Sequence, residues 1–155
     1  MADAVPVMLR LVSGGQTGVD RAALNVAMER GMPAGGWCPA GRWAEDGPIA
    51  ADYPLRETPS ADPAQRTEWN VRDSDGTLLL VTDAASAGTE LTREAAQRLG
   101  RPLLSSRVDA VPDVDHFRRW LRAHKITILN VAGPRESESP GIYDAVRGYL
   151  RAVLP

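Results

Sequence analysis

The amino-acid sequence predicts an α/β fold: a mainly parallel sheet of about five strands between two helical layers, a three-layer α/β/α arrangement. Three observations carry this expectation. Short apolar runs alternate with amphipathic stretches along the chain, and strands alternating with helices build a parallel sheet covered on both faces. The runs lack a regular polar alternation, as strands buried on both faces do. A glycine-rich turn, Ser13 to Asp20, follows the first run and opens the first amphipathic stretch.

Four apolar runs read as strands: Val7 to Val12, Leu78 to Thr82, Leu103 to Ser105 and Ile126 to Val131. Ala34 to Trp37 is a shorter fifth. The first helix, Val19 to Arg30, puts Ala23, Leu24, Ala27 and Met28 on one face and stops at Gly31. The next, Glu90 to Leu99, aligns Leu91, Ala95 and Leu99 ahead of Gly100 and Pro102. Pro112 suits the first turn of a helix running to His124, with Val114, Phe117 and Leu121 facing the core. The last helix, Gly141 to Leu154, carries the stripe Ile142, Val146, Tyr149, Leu150 and Val153. A short helix fits Gln65 to Asp73 as well.

A chain of 155 residues with 43% hydrophobic and 25% charged residues suits one globular domain spanning residues 1–155. The net charge of −2 argues against a nucleic-acid partner. The apolar runs are too short to span a bilayer, and no basic-plus-apolar signal segment stands at the N-terminus, so no membrane partner is expected. A single cysteine, Cys38, excludes an internal disulfide and makes a cytoplasmic location the expectation. The two histidines, His116 and His124, fall in one helix, which leaves little for a zinc site or a serine–histidine triad. No metal site and no catalytic residue is assigned.

Ligands of open α/β sheets bind at the carboxyl ends of the strands, where chain order reverses. Four segments are therefore the ones to read for chemistry. In the first, Gly14, Gly15, Gln16, Thr17, Gly18 and Asp20 form a strand–turn–helix junction, with glycines for close approach and unpaired helical amides for an oxyanion. It has no P-loop lysine and no Gly-x-Gly-x-x-Gly fingerprint; a plain tight turn is the alternative. The second segment, Cys38 to Asp62, is long and aperiodic and reads as a lid or binding loop bearing Arg42, Glu45 and Asp46. Beyond it, Arg66 and Asn70 either touch the ligand or serve as surface and packing groups. In the third, Gly88, Thr89 and Glu90 open a helix, with Thr89 as a plausible cap. Paired with the first turn it would form a two-sided oxyanion cradle. In the fourth, Gly133 and Arg135 follow a strand end, where arginine suits bidentate capture of an oxyanion.

The stretches Ser13-Gly-Gly-Gln-Thr-Gly-Val-Asp-Arg-Ala-Ala, Gly36-Trp-Cys-Pro-Ala-Gly-Arg-Trp-Ala-Glu-Asp-Gly-Pro-Ile, Gln65-Arg-Thr-Glu-Trp-Asn-Val-Arg-Asp-Ser-Asp-Gly-Thr and Asn130-Val-Ala-Gly-Pro-Arg-Glu-Ser resemble the molybdenum carrier family. That family falls in the SLOG superfamily, beside the Lonely-Guy and lysine decarboxylase-like nucleotide enzymes. The resemblance implies a Rossmann-like fold, a pocket for a nucleotide or nucleotide-like phosphate ligand, and a homo-oligomer. The cargo it implies is molybdenum cofactor or molybdate, gripped as a phosphate or oxyanion, since soft metal ligands here amount to Cys38 and methionines. Lonely-Guy enzymes carry Gly-Gly-x-Gly-Thr-x-x-Glu. Here Ser86-Ala87-Gly88-Thr89-Glu90-Leu91-Thr92 places Thr92 where that motif has its catalytic glutamate, with Glu90 and Glu94 out of register.

A carrier or binding protein for a small phosphorylated ligand is the expectation. The alternatives are a nucleotide-processing N-glycosidic hydrolase and a nucleotide sensor acting through a separate partner.

Overall fold

Leu11, Leu78, Leu80, Leu129 and Val131 are fully shielded from solvent, and each belongs to a strand of one sheet. The computed structural model describes residues 9–155. Its first unit is strand β1 (Arg10–Val12), helix α1 (Val19–Glu29) and strand β2 (Ala34–Gly35). A segment of two-residue strands follows: β3 (Trp37–Cys38), β4 (Trp43–Ala44), β5 (Gly47–Pro48) and β6 (Arg56–Glu57). Then come α2 (Pro63–Arg72), β7 (Gly76–Val81), α3 (Ala87–Leu99), β8 (Leu103–Arg107), α4 (Val114–Ala123), β9 (Ile128–Ala132) and α5 (Ile142–Val153).

The main sheet has five strands in the order β2-β1-β9-β7-β8, all parallel. The last strand of the chain thus lies in the middle, with Leu129 beside Leu11 and Val131 beside Leu78. Helices α1, α4 and α5 cover one face through a core that includes Val19, Val26, Phe117, Leu121, Val146 and Leu150. On the other face α2 and α3 pack through Val71, Ala95 and Ala96. The three-layer α/β/α expectation is therefore met, and the carboxyl ends of β1, β9 and β7 stand side by side at the point where the chain order reverses.

Several boundaries differ from the sequence reading for physical reasons. Val7 and Met8 of the first run lie outside the described residues. The stretch Ala34 to Trp37 is not one strand: Gly36, at φ 129°, turns the chain out of the main sheet, and a β-carbon there would collide with the Ser13 backbone. Trp37 and Cys38 pair instead with β6. The long segment from Cys38 to Asp62 has its own small core, Cys38, Ala44, Ile49 and Leu55, seated on Leu24 of α1. Helix α3 begins at Ala87, and its cap is Ser86, whose Oγ accepts the Thr89 amide at 3.2 Å, rather than Thr89 itself.

Candidate functional site

A cavity of about 290 Å³ opens at the carboxyl ends of β1, β7 and β9. Its walls come from the β1 turn, α2, the start of α3 and the segment after β9. Gly14, Gln16, Asp20, Asn70, Gly88, Gly133 and Arg135, all singled out from the sequence, line it.

The β1 turn is held by the protein itself. Ser13 Oγ donates to the Val131 carbonyl at 2.7 Å, tying the turn to β9. A β-carbon on Gly14 would fall 2.6 Å from Arg66 Cδ and 2.8 Å from Asp20 Oδ2. Arg66 reaches in from α2 to donate to the Gly14 carbonyl at 2.7 Å, and its Nη1 lies 3.9 Å from Asp20. Gly15, at φ 81°, presses against Leu55 and Ile49 of the loop core. Gly18, at φ 76°, would put a β-carbon 2.6 Å from the Pro134 carbonyl and 2.7 Å from the Glu136 amide. The Val19 amide donates to Pro134 at 3.2 Å. The start of α1 is therefore covered by the segment after β9, and the two-sided cradle expected from the glycines is not formed. Thr17 and Gly18 line a separate, open hollow with Glu45 and Asp46.

The start of α3 is different. Ser86 takes up the Thr89 amide, while the Ala87 and Gly88 amides have no partner among the described residues. Both residues line the cavity, as do the half-exposed side chains of Leu91 and Trp43. Thr92 lines it too, its hydroxyl donating to the Gly88 carbonyl at 2.9 Å. Thr89 is buried, and its Oγ1 has no partner.

Arg135 sits opposite, half-exposed, in loose ion pairs with Glu138 at 3.6 Å and Glu45 at 3.9 Å. Glu138 also accepts from the Arg135 amide and the Ser86 hydroxyl, bracing the β9 segment against α3. Glu45 accepts from the Thr17 hydroxyl, the Ser137 amide and the Ser137 hydroxyl. Burial pushes its carboxyl up, but these donors and Arg135 outweigh it and hold Glu45 below the ordinary value. Asp20 goes the other way: burial raises its proton affinity, against the opposing pull of Arg66 and the Gln16 amide.

Other predicted residues have structural partners. Arg42 donates to the carbonyls of Ile49, Ala50, Tyr53 and Leu55 and stands outside the cavity. Glu90 is exposed on α3, 3.6 Å from Arg93, and is also outside. Asn70 exchanges two hydrogen bonds with the Trp37 backbone at 2.8 and 3.0 Å while lining the cavity. The sequence reading missed Ser86, Glu138, Trp43 and Asp62. Asp62 was legible, because it caps α2 ahead of Pro63, a recognisable helix start. Glu138 lies in a serine- and glutamate-rich loop with no pattern to mark it.

Residues 11–154 match the circularly permutated YpsA SLOG family. A crystal structure of a "Putative molybdenum carrier protein" from Syntrophus aciditrophicus SB is 40% identical, with a TM-score of 0.93 and complete coverage of both chains. No curated protein matches significantly.

Proposed function

The chain belongs to the circularly permutated YpsA SLOG family, and we propose that it is a binding or carrier protein for a small phosphorylated, nucleotide-like ligand. One observation carries the reading. The unpartnered Ala87 and Gly88 amides, the Arg135 side chain and the apolar surfaces of Trp43 and Leu91 face one cavity. A phosphate or similar oxyanion takes the α3 amides and draws Arg135 away from Glu138. A planar ring packs on Trp43. The carboxylates of Asp62 and Glu138, both in the wall, accept hydrogen bonds from ligand hydroxyls.

The name of the structural neighbour points to molybdenum as cargo. Molybdate is an oxyanion and suits the same amides and guanidinium. Thiolate ligation does not fit, because Cys38 is buried in the loop core with Leu24, Ile49 and Leu55. Among the described residues no three His, Cys, Asp or Glu side chains gather as a metal site.

A thermal-shift panel of AMP, ADP, cyclic nucleotides, NAD, pterin phosphates, molybdate, tungstate and sulfate tests the reading, with Arg135→Ala as control. Saturation at 100 times the dissociation constant adds about 2.7 kcal/mol to stability. A shift with one phosphorylated ligand, lost in the variant, is expected; no shift with any of them sinks the proposal.

A second reading rests on Asp20. A carboxyl whose proton affinity is raised by burial, in the wall of the cavity, is suited to acid–base work on a nucleotide. Thr92, where Lonely-Guy enzymes have their glutamate, is tied to the Gly88 carbonyl, so the acid would come from a different element. Release of free base or ribose 5-phosphate by the wild type, abolished in Asp20→Asn, would favour hydrolysis over carriage.

A further inference from the structure

A second groove, of about 370 Å³, lies across α2 from the cavity, walled by β1, β2, β3 and β6. Asn70 lines both. Two arginines enter the groove, Arg10 from β1 and Arg56 from β6. Neither has a carboxylate partner among the described residues. Other arginines of the chain do have carboxylate partners, as in the pairs Arg21–Asp46, Arg98–Glu68, Arg107–Asp83 and Arg147–Glu29.

The groove is shaped around these two cations. Arg56 lies over the Trp37 indole, 4.3 Å from the ring centre, and Trp37 is wedged edge-on against Trp69 at 4.8 Å. Arg10 rests on Gly35: a β-carbon there would fall 2.5 Å from Arg10 Nη2. The one carboxylate in the wall, Asp73, is already committed. Arg72 donates to it at 2.8 and 2.9 Å, and the Trp37 indole N–H at 2.9 Å. Asp73 feels the charge of Arg56 but makes no close ion pair with it or with Arg10, and a concave wall holding two cations attracts a doubly negative guest.

We propose that this groove is a second anion site, taking a phosphate dianion between Arg10 and Arg56, beside the Trp37 indole that Arg56 covers. The guest is free inorganic phosphate or the phosphate of a small ester; guanidinium forks suit both through the same oxygens. The site is independent of the cavity beside Arg135, and the failure of one leaves the other standing.

The test uses the indole N–H resonances of the four tryptophans, assigned by single Trp→Phe replacements and followed in 1H–15N spectra. Inorganic phosphate and glycerol 3-phosphate are titrated separately, with acetate at matched ionic strength as control. The expected result is a saturable shift of Trp37 with phosphate and not with acetate. Arg10→Ala and Arg56→Ala each weaken it about tenfold or more, Arg56→Lys retains part of it, and Arg135→Ala leaves it unchanged. Both arginines are exposed, so the variants are expected to fold, as circular dichroism will verify. A stronger response to glycerol 3-phosphate than to phosphate identifies an ester as the guest, and the reverse identifies the free ion. A silent Trp37, a shift indifferent to Arg10 and Arg56, or one lost equally in Arg135→Ala overturns the proposal.

Discussion

The turn after β1 is filled by protein, whereas the turn after β7 opens onto the cavity. At the first, Gly15 and Gly18 adopt left-handed backbone and are pressed by Ile49, Leu55 and the Pro134 carbonyl. At the second, the nearest atom to a β-carbon on Gly88 would be Ser86 Oγ at 3.9 Å. Both turns have glycines and both start helices. The lesson is that a glycine records the close approach of something to the backbone, and that something can be the chain's own loop as well as a ligand.

The largest expected effect follows from that contrast. Gly18→Ala imposes both left-handed strain and collision with backbone atoms that cannot swing away, and is expected to cost about 4 kcal/mol. Gly88→Ala is expected to leave stability unchanged or raise it by about 0.5 kcal/mol, as alanine suits a helix better. Urea unfolding midpoints check both, and equal effects at the two glycines would erase the distinction.

Next is Arg66→Ala, which strips the Gly14 carbonyl and Asp20 of a buried cation. A loss of about 3 kcal/mol is expected, also by urea unfolding. Somewhat smaller is Arg42→Ala. Freeing four loop carbonyls is expected to cost about 2 kcal/mol. Faster proteolysis confined to residues 39–62 would show that the loss is local.

The smallest effect is electrostatic and has opposite signs at Asp20 and at Glu45, the loop carboxyl that accepts from Thr17. Asp20 holds its proton to a higher pH in the folded chain than its ordinary value of 3.8. Its contribution to stability is thus greatest below 3.8 and declines as pH rises through the raised value. Glu45, held below its ordinary 4.5, contributes stability above 4.5 that is lost as pH falls through its lowered value. Stability profiles over the acid range should flatten on the rising-pH side in Asp20→Asn and on the falling-pH side in Glu45→Gln. The same slopes in both variants as in the wild type would contradict these assignments.

The sheet and helices were legible because their residues carry period and punctuation. Leu78 to Leu80 read as a buried strand, and Gly31 and Gly100 as helix stops, and each holds. The order of strands was less accessible: nothing in Ile126 to Val131 says that it inserts between β1 and β7, because that depends on long-range pairing such as Leu129 with Leu11. At the site, Gly14, Gly88 and Arg135 were found from position after a strand. Arg42 was placed near the ligand by its position in a long loop after a strand, and position says nothing of the four carbonyls that occupy it. Trp43 and Glu138 escaped because their place in the cavity is set by loop packing rather than by a local pattern.

The most direct test follows the backbone amides of Gly88 and Gly18 in 1H–15N spectra during separate titrations with AMP and molybdate. A saturable shift is expected at Gly88 and its neighbour Ala87, abolished by Arg135→Ala, with Gly18 unmoved. A saturable shift at Gly18 with Gly88 silent would place the ligand at the other helix and contradict it.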